Sequence, residues 1–163
     1  NLIVVEKEQY HNKDISSTSI REKISKGDMA EVNEMLDHPY SVIGRVEHGK
    51  QLGRTISFPT ANIIPEAVKL LPPNGVYRTK VVINGEKFDS ITNVGVNPTV
   101  ESGKKIKVET NILDYEGDVY GEIIQVLFFD FIRPERTFSN MEELKQQIQR
   151  DTEKCRTLAR RKN

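Results

Sequence analysis

The sequence contains very little cysteine, and its charges cancel. Cys155 is the only cysteine among 163 residues, so no intrachain disulfide can form, and the chain suits a reducing compartment such as the cytoplasm. The formal net charge is zero, which gives no indication of a nucleic-acid or membrane-surface binder. Residues 41–163 carry 19 Lys and Arg against 16 Asp and Glu, a small surplus that suits an anionic ligand.

Membrane-spanning and zinc-binding patterns are also missing. No apolar run approaches the ~20 residues of a transmembrane helix, and no signal-peptide pattern opens the chain. His11, His38 and His48 are far apart in sequence, and no cysteine completes a zinc-ligand spacing with them. We therefore expect neither a membrane nor a nucleic-acid partner. The opening "NLIVVE" is typical of a strand and begins with Asn rather than Met, which indicates a piece of a longer protein.

Two short helices are predicted over residues 15–37. Ser19 and Glu22 have the spacing of a capping box, and Gly27 is expected to end the first helix. Asp28 is expected to cap the second helix, whose apolar residues recur at helical spacing.

From Tyr40 onward the hydrophobic pattern changes to a period of two, which is typical of strands. Asn84-Gly85 predicts a two-residue hairpin turn, and a second turn is expected at 116–118. Five or six strands with short connections favour a closed barrel, which leaves no open sheet edge. Ser139 and Glu142 have capping-box spacing and are expected to open a terminal helix that lies against the barrel.

The loop "HGKQLGRT" combines flexibility with positive charge. Gly49 and a second glycine allow close backbone approach, and Lys50 and Arg54 add charge, which together favour a phosphate cradle. The spacing is not that of a Walker A loop, and an ordinary basic hairpin loop explains the same residues.

The segment "FPTAN" follows that loop. Proline stiffens the backbone, and the side chains of Thr60 and Asn62 project to one side if the chain is extended. Hydroxyl and amide oxygens suit Mg²⁺ bound together with phosphates. A side-chain-stabilised turn is the structural alternative.

Two further segments carry charged residues that suit catalysis or binding. In "VETNILDY" a strand places Glu109 and Asn111 on one face, where Glu109 is either a general base or an ordinary exposed strand residue. In "FIRPERTF", Arg133 and Arg136 lie among aromatic residues. They favour either a planar anionic ligand or a polar link to the terminal helix.

These motifs taken together resemble the riboflavin kinase family. The resemblance rests on "GKQLGRTISFPTANI", "PPNGVY", "NVGVNPTV", "VETNILDYEGDVYGE" and "FIRPERTF". It implies a mainly β fold, a six-stranded antiparallel closed barrel with a C-terminal helix and a short helical N-terminal segment. It also implies an ATP-dependent phosphotransferase that converts riboflavin to FMN.

The resemblance also assigns roles to individual residues. Glu109 is expected to be the catalytic base, and Thr60 and Asn62 are expected to bind Mg²⁺ or another divalent cation. The remaining assignments are Gly49, Arg54, Thr60, Asn62 and Tyr120 for ATP, and Arg133, Arg136 and Phe138 for the flavin.

The N-terminal segment has a resemblance of its own. "ISSTSIREKISKGDMAEVNEMLDHPYSVIGRV" is similar to the end of the FMN adenylyltransferase half of bacterial bifunctional riboflavin kinase/FAD synthetases. This implies that residues 1–39 are a remnant of that domain with linker helices, that 40–163 are the kinase barrel, and that the parent protein also makes FAD.

Two positions depart from the family pattern. Ser57 replaces a frequent glycine, and Asn111 replaces the histidine of many members. They motivate the alternative of a catalytically silent flavin-binding or sensor barrel.

Overall fold

The computed structural model describes residues 7–48, 58–99 and 103–161, with the side chains of 96–99, 103–106 and 161 excepted. The strand predicted at residues 1–6 lies outside these ranges. The first described element is a small hairpin of β1 (Gln9–Tyr10) and β2 (Lys13–Asp14). His11 and Asn12 form its turn with φ of 49° and 61°. Two-residue strands are too short to show a periodic pattern, so the sequence analysis missed this hairpin.

Two helices follow as predicted, α1 (Ser17–Lys26) and α2 (Met29–Leu36). The predicted capping box of α1 was wrong in register, because Ser16 is the N-cap and exchanges hydrogen bonds with Ser19. Gly27 ends α1 in the left-handed conformation with φ of 79°, as expected. Asp28 is the N-cap residue of α2, as predicted, but its side chain makes no capping hydrogen bond.

Six strands in the described part of the chain form a closed antiparallel barrel, which confirms the predicted fold. The barrel order is β3-β4-β7-β6-β5-β8. Asn84 and Gly85 both have positive φ, of 50° and 85°, which confirms the predicted hairpin turn. The strands are β3 (Ser41–Glu47), β4 (Ala61–Pro65), β5 (Gly75–Ile83), β6 (Glu86–Thr99), β7 (Gly103–Ile112) and β8 (Ile123–Arg133).

The hydrophobic core extends from the barrel interior into the two N-terminal helices. Ile24, Met29 and Val32 are buried in the same cluster as the barrel residues Val42 and Phe128. A tether of hydrogen bonds accompanies this packing. The side-chain amide of Asn33 donates to the Phe128 carbonyl at 2.8 Å, and its oxygen accepts from the Tyr40 backbone N–H at 2.7 Å.

A ladder of four buried hydroxyl groups lies inside the barrel. Thr79 bonds Ser90 at 2.7 Å and Thr92 at 2.8 Å, and Thr92 bonds Thr110 at 2.6 Å. All four residues are completely buried. A hydroxyl group can donate and accept, so these three bonds give each of the four hydroxyls at least one partner in a place where an unpaired polar group would be costly.

The terminal helix α3 (Met141–Arg161) lies against β6 and β8. Its predicted cap was wrong by one residue, because Asn140 accepts from the Glu143 backbone N–H at 2.9 Å. An ion pair ties the helix to the barrel, with Arg133 of β8 donating to the buried carboxylate of Asp151.

None of the helices in the described ranges is both long enough and apolar enough to cross a membrane.

Candidate active site

A cavity of about 440 Å³ opens where β4 begins and β7 ends. Its volume falls within the usual range of small-molecule sites, about 300–1,000 Å³. Residues 116–118, where a turn was predicted, form part of its wall; the chain bends at Gly117, and turn residues lie at 113–114. The lining residues are Pro59, Thr60, Ala61, Thr110, Ile112, Tyr115, Glu116, Gly117, Asp118, Val119 and Tyr120.

Thr60 lies in the cavity wall, immediately before β4 begins at Ala61. The preceding residue is held from the neighbouring strand β7, because the side-chain amide of Asn111 donates to the Pro59 carbonyl at 2.7 Å. Pro59 also restricts its own φ through its ring. The backbone leading into Thr60 is therefore constrained at two points.

Asn62 and Glu109 lie directly opposite each other in the antiparallel β4–β7 pair. Opposed residues project to the same face, with Cβ atoms about 5 Å apart. The flanking residues Ala61, Ile63 and Val108 are buried. Asn62 and Glu109 therefore share the outer face of the barrel, beside the strand end that carries Thr60.

Glu109 has a cationic neighbour on its own strand. The Nζ of Lys107 contacts Oε1 of Glu109, and the carboxylate side chain remains 25% exposed. The alternating directions of strand side chains place residues two apart on one face. This spacing is visible in the sequence, although Lys107 was not among the predicted site residues.

Tyr120 lines the cavity, and both its ring and its backbone make contacts there. Its ring stacks on His48, with centroids 3.9 Å apart, and its backbone N–H donates to Asp118 at 2.9 Å. His48 is the last described residue before the glycine-containing loop. His48 therefore lies against the cavity wall through its stacking on Tyr120.

Arg133, Arg136 and Phe138 come together near the start of α3. The guanidinium carbons of Arg133 and Arg136 lie 5.8 Å and 4.9 Å from the centroid of the Phe138 ring. Arg133 is also engaged by Asp151, and Arg136 donates to Gln147 at 3.1 Å. Both guanidinium groups thus have structural partners.

A hydrogen bond links this aromatic-arginine cluster to the strand beside Glu109. Asn93 of β6 is the cross-strand partner of Glu109, and its amide donates to Glu135 at 3.1 Å. Glu135 was not identified from sequence, because nothing in its local pattern shows that it reaches Asn93 across 42 residues. Asn62, Glu109 and the segment before α3 therefore share one surface.

Four positions singled out in the sequence lie outside the described residues: Gly49, Lys50, Arg54 and Ser57.

The oxygen donors near the cavity fit a magnesium ion that keeps other ligands. Thr60 and Asn62 supply a hydroxyl and an amide oxygen, the hard donors that Mg²⁺ prefers. Within 7–48, 58–99 and 103–161, His, Cys, Asp and Glu form no group of three or more that would hold a metal. Mg²⁺ commonly uses few protein ligands and completes its shell with phosphates and water.

Known proteins resemble this chain over most of its length. A family model described as "Flavokinase: Riboflavin kinase" matches residues 36–159. A curated protein of Listeria monocytogenes, named bifunctional riboflavin kinase/FMN adenylyltransferase, is 38% identical over 95% of this chain and 49% of its own length. One of the same name from Escherichia coli K12 is 43% identical over 84% of this chain and 44% of its own length.

Two solved structures were also similar. One, titled as a macrolide-efflux protein from Streptococcus pneumoniae, has a TM-score of 0.88 and 36% identity, covering 94% of this chain and 50% of that one. Riboflavin kinase from Trypanosoma brucei has a TM-score of 0.53 and 22% identity over 75% of this chain and 80% of that one, which supports the fold. From the family match and the identities to curated relatives, the chain belongs to the riboflavin kinase family.

Proposed function

We propose that this chain transfers the γ-phosphoryl group of ATP, the co-substrate of its family, to the 5′-hydroxyl of the ribityl chain of riboflavin. The products are FMN and ADP. The observation that carries the proposal is the opposed pair of Asn62 and Glu109, next to a cavity whose wall contains Thr60. A carboxylate and two oxygen donors there can serve one phosphoryl-transfer reaction.

Glu109 would accept the proton of the ribityl hydroxyl as that oxygen attacks the phosphorus. In phosphoryl transfer the protein mainly positions the reactants and neutralises charge, and general-base catalysis adds typically about 10²–10⁴-fold. The contact with Lys107 limits the orientations of the carboxylate before substrate binds. Glu109 would thus contribute by its placement as much as by its basicity.

Thr60 and Asn62 would hold Mg²⁺ through their side-chain oxygens. When bound, the ion neutralises charge on the phosphate oxygens. The two residues would fix the nucleotide end of the site relative to Glu109, since Asn62 is its cross-strand neighbour.

Substrate binding would involve the two surfaces beside this pair. For ATP we propose the glycine-containing loop with Gly49 and Arg54, together with Tyr120 in the cavity wall. For the flavin we propose Arg133, Arg136 and Phe138.

The chain spans about half the length of the curated relatives it matches. We propose that it carries the kinase half of their two named activities, and that 1–39 and 40–163 correspond to an adenylyltransferase remnant and the kinase barrel. FAD formation would require the adenylyltransferase domain of a full-length parent. We include the cytoplasmic location predicted from the single cysteine in this proposal.

The direct test is to incubate the purified chain with riboflavin, ATP and MgCl₂ and to separate the flavins chromatographically. FMN should accumulate with an equal amount of ADP, and no FAD should appear when FMN replaces riboflavin. A chain that binds riboflavin but makes no FMN would be the silent flavin-binding barrel that Ser57 and Asn111 motivated.

A further inference from the structure

The side chain of Asn111 forms a long-range bridge at the edge of the cavity. Its Nδ2 donates to the carbonyl oxygen of Pro59 at 2.7 Å, across 52 residues of sequence. Asn111 is only 9% exposed, so water competes little for this bond. The backbone pairing of β4 with β7 reaches Ala61 and Thr110 at this end. The bridge from Asn111 extends that pairing by one position.

The acceptor is well placed to control Thr60. The Pro59 carbonyl belongs to the peptide group that joins Pro59 to Thr60, so fixing this oxygen fixes the plane from which Thr60 starts. On its other side, Thr60 is followed by Ala61, which is paired with Thr110 of β7. Thr60 is therefore constrained from both ends.

We propose that Asn111 is a positioning residue that sets Thr60, and with it the site for Mg²⁺ and the nucleotide phosphates, in register with Glu109. This inference rests on the proposed function. Glu109 and Asn111 are two residues apart on β7, so one strand carries both the base and the bridge to Thr60. Any shift of β7 would move both together and preserve their relative placement.

The chemistry of the amide makes the inference specific. Asn111 acts here as a hydrogen-bond donor to a carbonyl, which a neutral imidazole can also be through its N–H. An ionised Asp has no proton to donate and would place a negative charge against the carbonyl oxygen. We therefore expect kcat/KM for MgATP to be highest with Asn at position 111, somewhat lower with His, and lowest with Ala or Asp.

The test compares Asn111→Ala, Asn111→Asp and Asn111→His with the parent chain. We expect Ala and Asp to lower kcat/KM for MgATP about 10- to 100-fold, since small misplacements cost up to about 10². The KM for riboflavin should change less than about twofold, because an interaction confined to the nucleotide end changes only that end's parameters. Asn111→His should stay within about threefold of the parent.

Asn33→Ala is the matched control. It removes another side-chain amide that donates to a backbone carbonyl, that of Phe128 at 2.8 Å, at the interface of α2 with β8. We expect it to lower the Tm while leaving kcat/KM for MgATP unchanged. Equal kinetic losses in Asn33→Ala and Asn111→Ala, or a parent-like kcat/KM in Asn111→Ala, would overturn the proposal.

Two further readouts keep the outcome decisive. The rise in Tm caused by MgADP needs no turnover, and it should be lost in Asn111→Asp even if the parent makes no FMN. A parent chain that makes no FMN would contradict the proposed kinase function. Loss of the MgADP-induced rise in Tm in Asn111→Asp would still support the role of Asn111. Where Asn111→Ala does not fold, a folded Asn111→His whose KM for MgATP rises about tenfold would contradict the inference.

Discussion

The side chains of Asn62 and Glu109 project side by side from opposed positions of β4 and β7. Strand pairing alone thus brings the proposed metal ligand and the proposed base together, although 47 positions of sequence separate residue 62 from residue 109. Both residues belong to hydrogen-bonded strands of a closed barrel, which restricts their relative movement.

Replacing Glu109 by Gln or Ala should lower kcat for FMN formation by about 10²–10⁴-fold, the usual contribution of a general base. Riboflavin and MgADP should still bind, because the substitution leaves the cavity wall intact. Glu86→Gln, at the start of β6 beside the hairpin turn, is the control and should keep the activity of the parent. Turnover of Glu109→Ala at the rate of the parent would show that another group is the base.

The ion pair of Arg133 and Asp151 should contribute to stability far more than a surface pair. Asp151 is 4% exposed, and breaking a buried pair costs about 3–5 kcal/mol. We expect Asp151→Asn to lower the free energy of unfolding by about 3 kcal/mol, measured with urea.

Asp114→Asn provides the matched comparison. It breaks an exposed ion pair between Asp114 and Arg156, which lies on α3 like Asp151. It should cost less than about 1 kcal/mol. Equal losses in the two variants would mean that the Arg133 pair contributes no more than a solvent-exposed one.

The hydroxyl ladder should be sensitive to loss of its central member. Thr92→Val keeps the shape of the side chain but leaves the completely buried Thr110 without its 2.6 Å bond. An unsatisfied buried polar group costs about 1–3 kcal/mol, and we expect a loss of that size in urea unfolding. Thr137→Val, at an exposed position, should change stability by less than about 0.5 kcal/mol. A Thr92→Val chain as stable as the parent would contradict this account.

The thiol of Cys155 should be inert in the folded chain. It is 3% exposed, and burial raises its pKa to about 12, above about 8.5 for a free thiol. We expect no reaction with a disulfide reagent at pH 8 until urea unfolds the chain, when one thiol reacts.

The same shift predicts a pH dependence. Because the pKa is higher in the folded state, the contribution of Cys155 to stability is complete below about pH 8.5 and declines as the pH rises toward 12. Comparing urea unfolding of the parent with that of Cys155→Ala between pH 8 and 10 should show a steeper loss in the parent. Parallel pH curves would exclude the shift.

Local patterns predicted most of the elements and few of their contacts. The period-two segments and Asn84-Gly85 defined barrel strands correctly, because strand periodicity and turn chemistry depend on neighbouring residues. The caps at Ser16 and Asn140 were misplaced by a few residues, since several Ser and Asn side chains compete there.

Contacts between residues that are distant in sequence could not be derived from such patterns. The bond from Asn111 to Pro59 and the pair of Arg133 with Asp151 depend on strand register and on where α3 docks. The opposition of Asn62 and Glu109 depends likewise on the order of strands, which no single segment encodes.

The burial of α1 and α2 against the barrel bears on how the catalytic module should be cut for experiments. A chain trimmed at Tyr40 would strip away Ile24, Met29 and Val32, and would deprive the Phe128 carbonyl of its amide donor from Asn33. Such a truncation would expose an apolar surface to solvent and favour aggregation. The smallest stable fragment thus includes these two helices, even though the hydrophobic pattern changes at Tyr40.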